Sequence, residues 1–230
     1  MQTYVARVWL PDRPGALGAV ASRIGAVRGD VVGIDILERG AGRAIDELVI
    51  ELPSDTLLEL LIEEISQVDG VDVEDVRPVA SPLGDARLDA LHTAALLVEQ
   101  SSVRHLLDKL CGEAYRDFQA EWSAVVDLDD AGELACVGEP PSAPWLRAFL
   151  AGSGASMPVA TGVCGPDDVA WAPLGDARLA LVLGRPSRQF RARERKQLLA
   201  LARIAGRRYT ELMAGDAGAE HRPVPIAEPA

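Results

Sequence analysis

Pro11-Asp12-Arg13-Pro14-Gly15-Ala16-Leu17-Gly18 is the stretch on which the reading of the first third of the chain turns. It separates two segments of different period. Before it, Tyr4, Ala6, Val8 and Leu10 alternate with Val5, Arg7 and Trp9, the pattern of a strand buried on one face and partly on the other. After it, Leu17, Val20, Ile24 and Val27 recur at helical spacing, and Gly29 ends the run. Asp12 reads as the helix cap and Pro14 as a residue of the first turn.

Outward from this junction the pattern continues. Val31 to Leu37 is expected as a second strand, Glu38 to Arg43 as a flexible hairpin turn, and Ile45 to Leu52 as a third strand. In that third strand Leu48, Ile50 and Leu52 alternate against acids. Pro53 breaks it, and Ser54 caps a helix whose apolar side holds Leu57, Leu58, Leu61, Ile62 and Ile65. Asp69-Gly70 turns into a last strand, Val71 to Arg77. The order is βαββαβ, an α+β, ferredoxin-like arrangement with both helices on one face of an antiparallel sheet.

Pro78 to Gly84 carries two prolines, a serine and a glycine, so a first domain is expected over 1–79 and a linker over 80–84. A second domain is expected over 85–213. Asp85 to Val98 forms a helix with Leu88, Leu91, Ala95 and Val98 on one side, and Ser101-Ser102 starts another carrying Val103, Leu106, Leu107 and Leu110. Trp122 to Leu128 and Glu133 to Val137 read as a hairpin around Asp129-Asp130-Ala131-Gly132. A short helix follows over Pro144 to Leu150, then a loop from Ala151 to Pro166, then strands Val169 to Leu174 and Leu179 to Leu183. A long helix opens near Phe190 with Leu198, Leu201, Ala202, Ala205, Tyr209 and Leu212 as its stripe. The Gly-, Ala- and Pro-rich stretch 214–230 is expected to be a disordered tail.

Composition narrows the function. The 230 residues are 48% hydrophobic and 25% charged, with mean hydropathy +0.09, which excludes disorder of the whole chain. There is no run of about 18 uncharged apolar residues, so no membrane span is expected. Met1-Gln2-Thr3-Tyr4 has neither the basic nor the apolar region of a signal peptide. Cys111, Cys136 and Cys164 are odd in number and far apart, which fits reduced thiols in a cytoplasm. A formal net charge of −12 argues against nucleic acid as a partner. Nine Lys and Arg side chains nevertheless fall within 185–208 against the single acid Glu194. That stretch is either a solvated helix face or a docking surface, for the acidic first domain or for a partner. No Walker loop, nucleophile elbow, dinucleotide fingerprint or trusted metal spacing is present, so neither catalysis nor a cofactor is expected. His92 and His105 read as polar or interface positions.

The Asp12-Arg13-Pro14-Gly15-Ala16-Leu17 loop and the Gly29-Asp30-Val31-Val32-Gly33-Ile34 entry to the second strand, in their βαββαβ setting, resemble the ACT domain family of amino-acid sensors. The resemblance covers about a third of the chain. It implies a ligand site at Asp12, Arg13, Pro14, Gly15, Ala16 and Leu17, completed across a homodimer interface by Val31, Val32, Gly33 and Ile34 of a neighbour. The physical logic stands beside it. A glycine after a strand lets backbone approach a ligand, and a helix start offers unpaired N–H groups and a dipole to an α-carboxylate. Where family members binding polar amino acids often carry Asn, this chain has Val31. Asp12 stands where several have a neutral amide, and an acid there is repulsive to a carboxylate unless it meets the ammonium group instead. The resemblance therefore implies either a small or aliphatic amino acid or a domain that only pairs.

The Trp122–Val137 hairpin, the Ala172-Pro173-Leu174 and Leu179–Gly184 strand pair, and Phe190…Glu194…Leu198-Leu199-Ala200-Leu201-Ala202 resemble a GAF domain, an antiparallel sheet flanked by helices. Its pocket segment, here about 139–168, is short and lacks a cyclic-nucleotide signature, so the resemblance implies dimerisation or output. Together these readings describe a non-catalytic regulatory protein that senses an amino acid and acts on a separate protein. The other reading is an interaction or scaffold protein whose degenerate sensor domains bind no small molecule, with the basic 185–208 helix as its contact surface.

Overall fold

The structure, a computed structural model, describes residues 1–79, 86–129, 132–154 and 166–220. They form two compact units: Met1–Ala86 with Arg191–Glu194, and Arg87–Phe190 with Arg195–Ala230. The fold is α+β, with two four-stranded antiparallel sheets flanked by helices.

In the first unit the elements are β1 (Gln2–Pro11), α1 (Ala16–Ala26), β2 (Asp30–Gly40), β3 (Arg43–Leu52), α2 (Leu58–Ser66) and β4 (Asp72–Val79). The sheet order is β2-β3-β1-β4, and every neighbouring pair is antiparallel. This is the ferredoxin-like order. Residues two apart along a strand share a face. Tyr4, Ala6, Val8 and Leu10 of β1 and Leu48, Ile50 and Leu52 of β3 therefore form one apolar floor, closed by Val20 and Ile24 of α1 and Leu61 and Ile65 of α2. The opposite face of β1 carries a polar network. The Glu47 carboxylate accepts from Arg7 at 2.8 Å and from Arg77 at 3.1 Å, and Trp9 Nε1 donates to Glu74 at 2.7 Å.

Two local details differ from expectation. Asp12 does not cap α1 and Pro14 lies outside it: the N-cap is Gly15, with φ 89°, and no side chain caps the helix. The chain leaves β1 still tied to β3, through Asp12 N–H donating to Gly42 O at 2.9 Å. Only a left-handed residue can then redirect it into the helix, and glycine takes that conformation without a Cβ penalty. The β2–β3 hairpin is also tighter. Ala41 and Gly42, with φ 51° and 77°, make a two-residue turn, so Glu38 to Gly40 join the ladder rather than a loop. Ser54, as expected, accepts from Thr56 N and caps the 3-10 turn Asp55–Leu57 that leads into α2.

The second unit holds α3 (Ala86–Val98), α4 (Val103–Asp117), β5 (Trp122–Asp127), β6 (Glu133–Gly138), α5 (Ala143–Gly154), β7 (Val169–Pro173), β8 (Leu179–Gly184) and, from Arg195 onward, most of α6 (Ala192–Glu220). Its sheet order is β6-β5-β8-β7. One face packs on α4 and α6 through Leu106, Leu110, Val125, Leu181, Leu198 and Ala202. The other packs on α5 through Trp122, Val126, Leu146, Leu150 and Val182. Ser102 caps α4 by accepting from His105 N. Helix α6 runs to Glu220, beyond the expected start of a tail at 214: Met213–Glu220 contains no proline to stop it, and its three alanines stand against Gly215 and Gly218. Likewise α5 extends through Gly154 into the expected loop. The expected linker 80–84, the turn residues Asp130 and Ala131, the rest of the 155–165 loop, Cys164 and 221–230 lie outside the described residues.

The basic stretch 185–208 is not a uniform solvated face: Arg191 pairs with Glu74 and Arg193 with Asp35, acids of the first domain, as the docking reading expected, and Arg191–Glu194 belong to the first unit. Arg185 is 1% exposed and donates to the carbonyls of Phe118 (2.6 Å), Arg188 (2.9 Å) and Gln189 (2.9 Å), with its guanidinium 4.0 Å from the Phe190 ring centroid. Arg195 is also buried and donates to the carbonyls of Val169 and Pro166. Arg208 donates to Gln100 O, just past the end of α3. Arginine supplies a planar fork of donors that satisfies several carbonyls at once. Much of this positive charge is therefore spent inside the fold.

Candidate functional site

Asp12, Arg13, Pro14 and Gly15 are exposed, Leu17 is half-buried, and Ala16 is buried as the first residue of α1. Arg13 N–H donates to Pro11 O at 2.8 Å, and Ala16 N–H to Arg13 O at 3.3 Å. A Cβ added at Gly15, Gly18 or Gly42 would meet nothing within 4 Å, so the surroundings of the loop are open. A helix start leaves its first amides without intrahelical partners; Ala16 N–H is taken by Arg13 O, and among the described residues no side chain caps the helix, which leaves the amides of Leu17 and Gly18. Open space, these two amides and the positive end of the α1 dipole suit a small anion such as a carboxylate.

Val31, Val32, Gly33 and Ile34 are not part of that loop within one chain. Val31 pairs with Ile50 and Ile34 with Leu48, whereas the loop follows Pro11, which pairs with Arg43. Five to seven residues of strand separate the two places, roughly 17 to 23 Å. The β2 register shifts between Val31 and Gly33, which leaves Val32 outside the ladder. A Cβ at Gly33 would lie 3.0 Å from Val49 Cγ2, tighter than an ordinary contact. Strand β2 is the sheet edge, and it exposes Val32 (51%), Ile34 (48%) and Ile36 (39%). Arg193 donates to Asp35 and to the Ile36 carbonyl on this strand, and the exposed apolar edge on the Val32–Ile34 side is a template for another strand.

Sequence reasoning missed Asp46. The acids of β3 divide between two faces: Glu47 and Glu51 lie opposite the helices, but Asp46 pairs with Val8 and Ile36 on the helix-covered face. It is 4% exposed, and its Oδ1 is buried without a hydrogen-bond partner among the described residues. Burial pushes its carboxyl above the usual range, Arg39 pulls it down, and Asp12 pushes it up again. The signal was present in the sequence as the one acid at an even position in the run Ala44, Asp46, Leu48, Ile50, Leu52.

The remaining candidates of other kinds stay apart. Cys111 is buried, its thiol pushed up to about 12 chiefly by desolvation. Cys136 is exposed, on the edge strand β6. Asp127 Oδ1 accepts from Asp129 N at 2.7 Å, a turn role, and Asp129 pairs with Arg178. His92 and His105 are exposed. Among the described residues no group of three or more His, Cys, Asp or Glu side chains could hold a metal ion, and no helix is long and apolar enough to cross a membrane.

No protein-family model matches the chain, and no curated protein matches it. Similar solved structures include the GAF domain of an Acinetobacter phosphoenolpyruvate-protein phosphotransferase, at 12% identity and TM-score 0.39, covering 57% of this chain and 97% of that one. The chromophore-binding domain of a bacteriophytochrome from R. palustris is similar at 10% identity and TM-score 0.40, over 93% of this chain and 94% of that one. A formyltetrahydrofolate deformylase from Pseudomonas putida is similar at 17% identity and TM-score 0.27, over 43% and 39% of the two chains. At such TM-scores these likenesses carry no argument. The α+β class rests on this chain's own strands and helices.

Proposed function

We propose that the chain is a non-catalytic regulatory protein whose first unit senses an amino acid at the Asp12–Leu17 loop. The second unit, GAF-like in its resemblance, serves dimerisation or output toward a separate protein. The observation that carries this reading is the start of α1: a left-handed Gly15 in open space, followed by helix amides that no side chain caps. The ferredoxin-like order and the ACT-like loop support it. The exposed edge of β2 supports pairing of two copies, which would bring Val31, Gly33 and Ile34 of one toward Arg13, Gly15 and Ala16 of the other.

A thermal-shift screen against the twenty amino acids tests it. A ligand that binds only the native state, at about 100 times its dissociation constant, adds roughly 2.7 kcal/mol of stability. One chemical class, small or aliphatic, is expected to raise Tm. Gly15→Val is expected to abolish that shift while leaving a folded protein. It forces an L side chain into the left-handed region, a local cost of about 1 to 2 kcal/mol, and points it into the site. A shift that survives Gly15→Val would place the site elsewhere. The exposed stripe Val32, Ile34 and Ile36 favours a second reading, an interaction protein that binds no small molecule, and the absence of any shift would select it.

A further inference from the structure

Asp46 lies two residues along β3 from Ala44, whose partner Leu10 leads directly into Pro11 and Asp12. Its neighbours in the sheet are the apolar Val8 and Ile36, and the charged groups it feels are Arg39 from β2 and Asp12 from the loop. A carboxylate oxygen in such a place, buried and unpartnered, costs stability that the fold alone does not recover. Asp12 lies three residues before the α1 N-cap and Asp46 is in electrostatic reach of Asp12, so acceptors in the sheet and loop stand against donors at the helix start, a dipolar arrangement. We propose that Asp46, with Asp12, receives the ammonium group of the amino acid while the α1 amides receive its carboxylate. The site then selects the zwitterion and rejects a 2-oxo acid of the same shape, which carries the carboxylate without the ammonium. This inference rests on the amino-acid-sensing reading and adds the half of the ligand that the loop does not explain.

The test is calorimetric titration of the full chain with L-valine, 2-oxoisovalerate and isobutylamine, repeated on Asp46→Asn. Asparagine keeps the shape and removes the charge, and relief of the unpartnered carboxylate leaves Tm unchanged or higher. L-Valine is expected to bind, 2-oxoisovalerate to bind at least tenfold more weakly, and Asp46→Asn to lose at least tenfold in affinity for L-valine. Asp12→Asn is expected to lose less, because Asp12 is exposed. Equal binding of L-valine and 2-oxoisovalerate overturns the inference and leaves the sensing reading intact, as does full affinity in Asp46→Asn. A marked fall in the Tm of Asp46→Asn would show a structural partner for the carboxylate and also overturn it. Binding of none of the three probes removes the inference and its parent reading together.

Discussion

Gly206→Ala is expected to destabilise the second unit by about 3 kcal/mol, lowering its Tm by roughly 10 °C. The sign is the informative part. In an exposed helix interior the same change stabilises by roughly 1 kcal/mol, because glycine is the poorer helix former. Gly206 sits inside α6 where that helix crosses the end of β7, and a Cβ there would overlap the carbonyl of Leu174 and the amide of Gly175. The obstructing atoms are backbone, so no rotamer change relieves them. The helix must move off Leu174 and loosen the packing of Ala202 and Ala205, both fully buried in the same cluster. Thermal melts of the two proteins check this, and a variant as stable as the wild type would mean that α6 does not lie against β7.

Arg185→Met is expected to cost about 3 kcal/mol. Arg185 satisfies three backbone carbonyls, that of Phe118 at the end of α4, which is buried, and those of Arg188 and Gln189 past the end of β8, which are part-buried. Leaving a buried acceptor unmade costs about 1 to 3 kcal/mol, water recovers part of this at the other two, and removing a buried charge returns part of the sum. Methionine fills much of the volume but donates nothing. Lysine keeps the charge without the planar fork, so Arg185→Lys is expected to fall between the two. Urea denaturation measures both. A neutral Arg185→Met would return Arg185 to the solvated basic face that the charge count alone suggested.

The fold was legible where periodicity and punctuation agree. The alternation of Tyr4 to Leu10, the helical spacing of Val20 and Ile24, and the caps Ser54 and Ser102 each place an element that the structure contains. What was not legible depends on which of two local solutions the chain takes. Asp12-Arg13-Pro14-Gly15 offers both a capping acid and a left-handed glycine. The hydrogen bond of Asp12 N–H to Gly42, 30 residues away in sequence, decides for the glycine. Charge patterning pointed rightly to pairing of this stretch with the first domain's acids, through Arg191 and Arg193, but a count of charges does not say which are buried. Arg185 and Arg195 face backbone carbonyls, and Asp46 faces the helices among residues that otherwise form an apolar floor. Of the candidate site, the loop was legible from its residue types, whereas the burial of Asp46 required the strand register.

The most direct measurement is an amide-resolved NMR titration of the full chain with L-valine. Saturable shifts at Ala16, Leu17 and Gly18, absent in Gly15→Val, are the predicted result. Shifts confined to other residues, or none with L-valine or any other amino acid, would contradict the assignment of the α1 start as an amino-acid site.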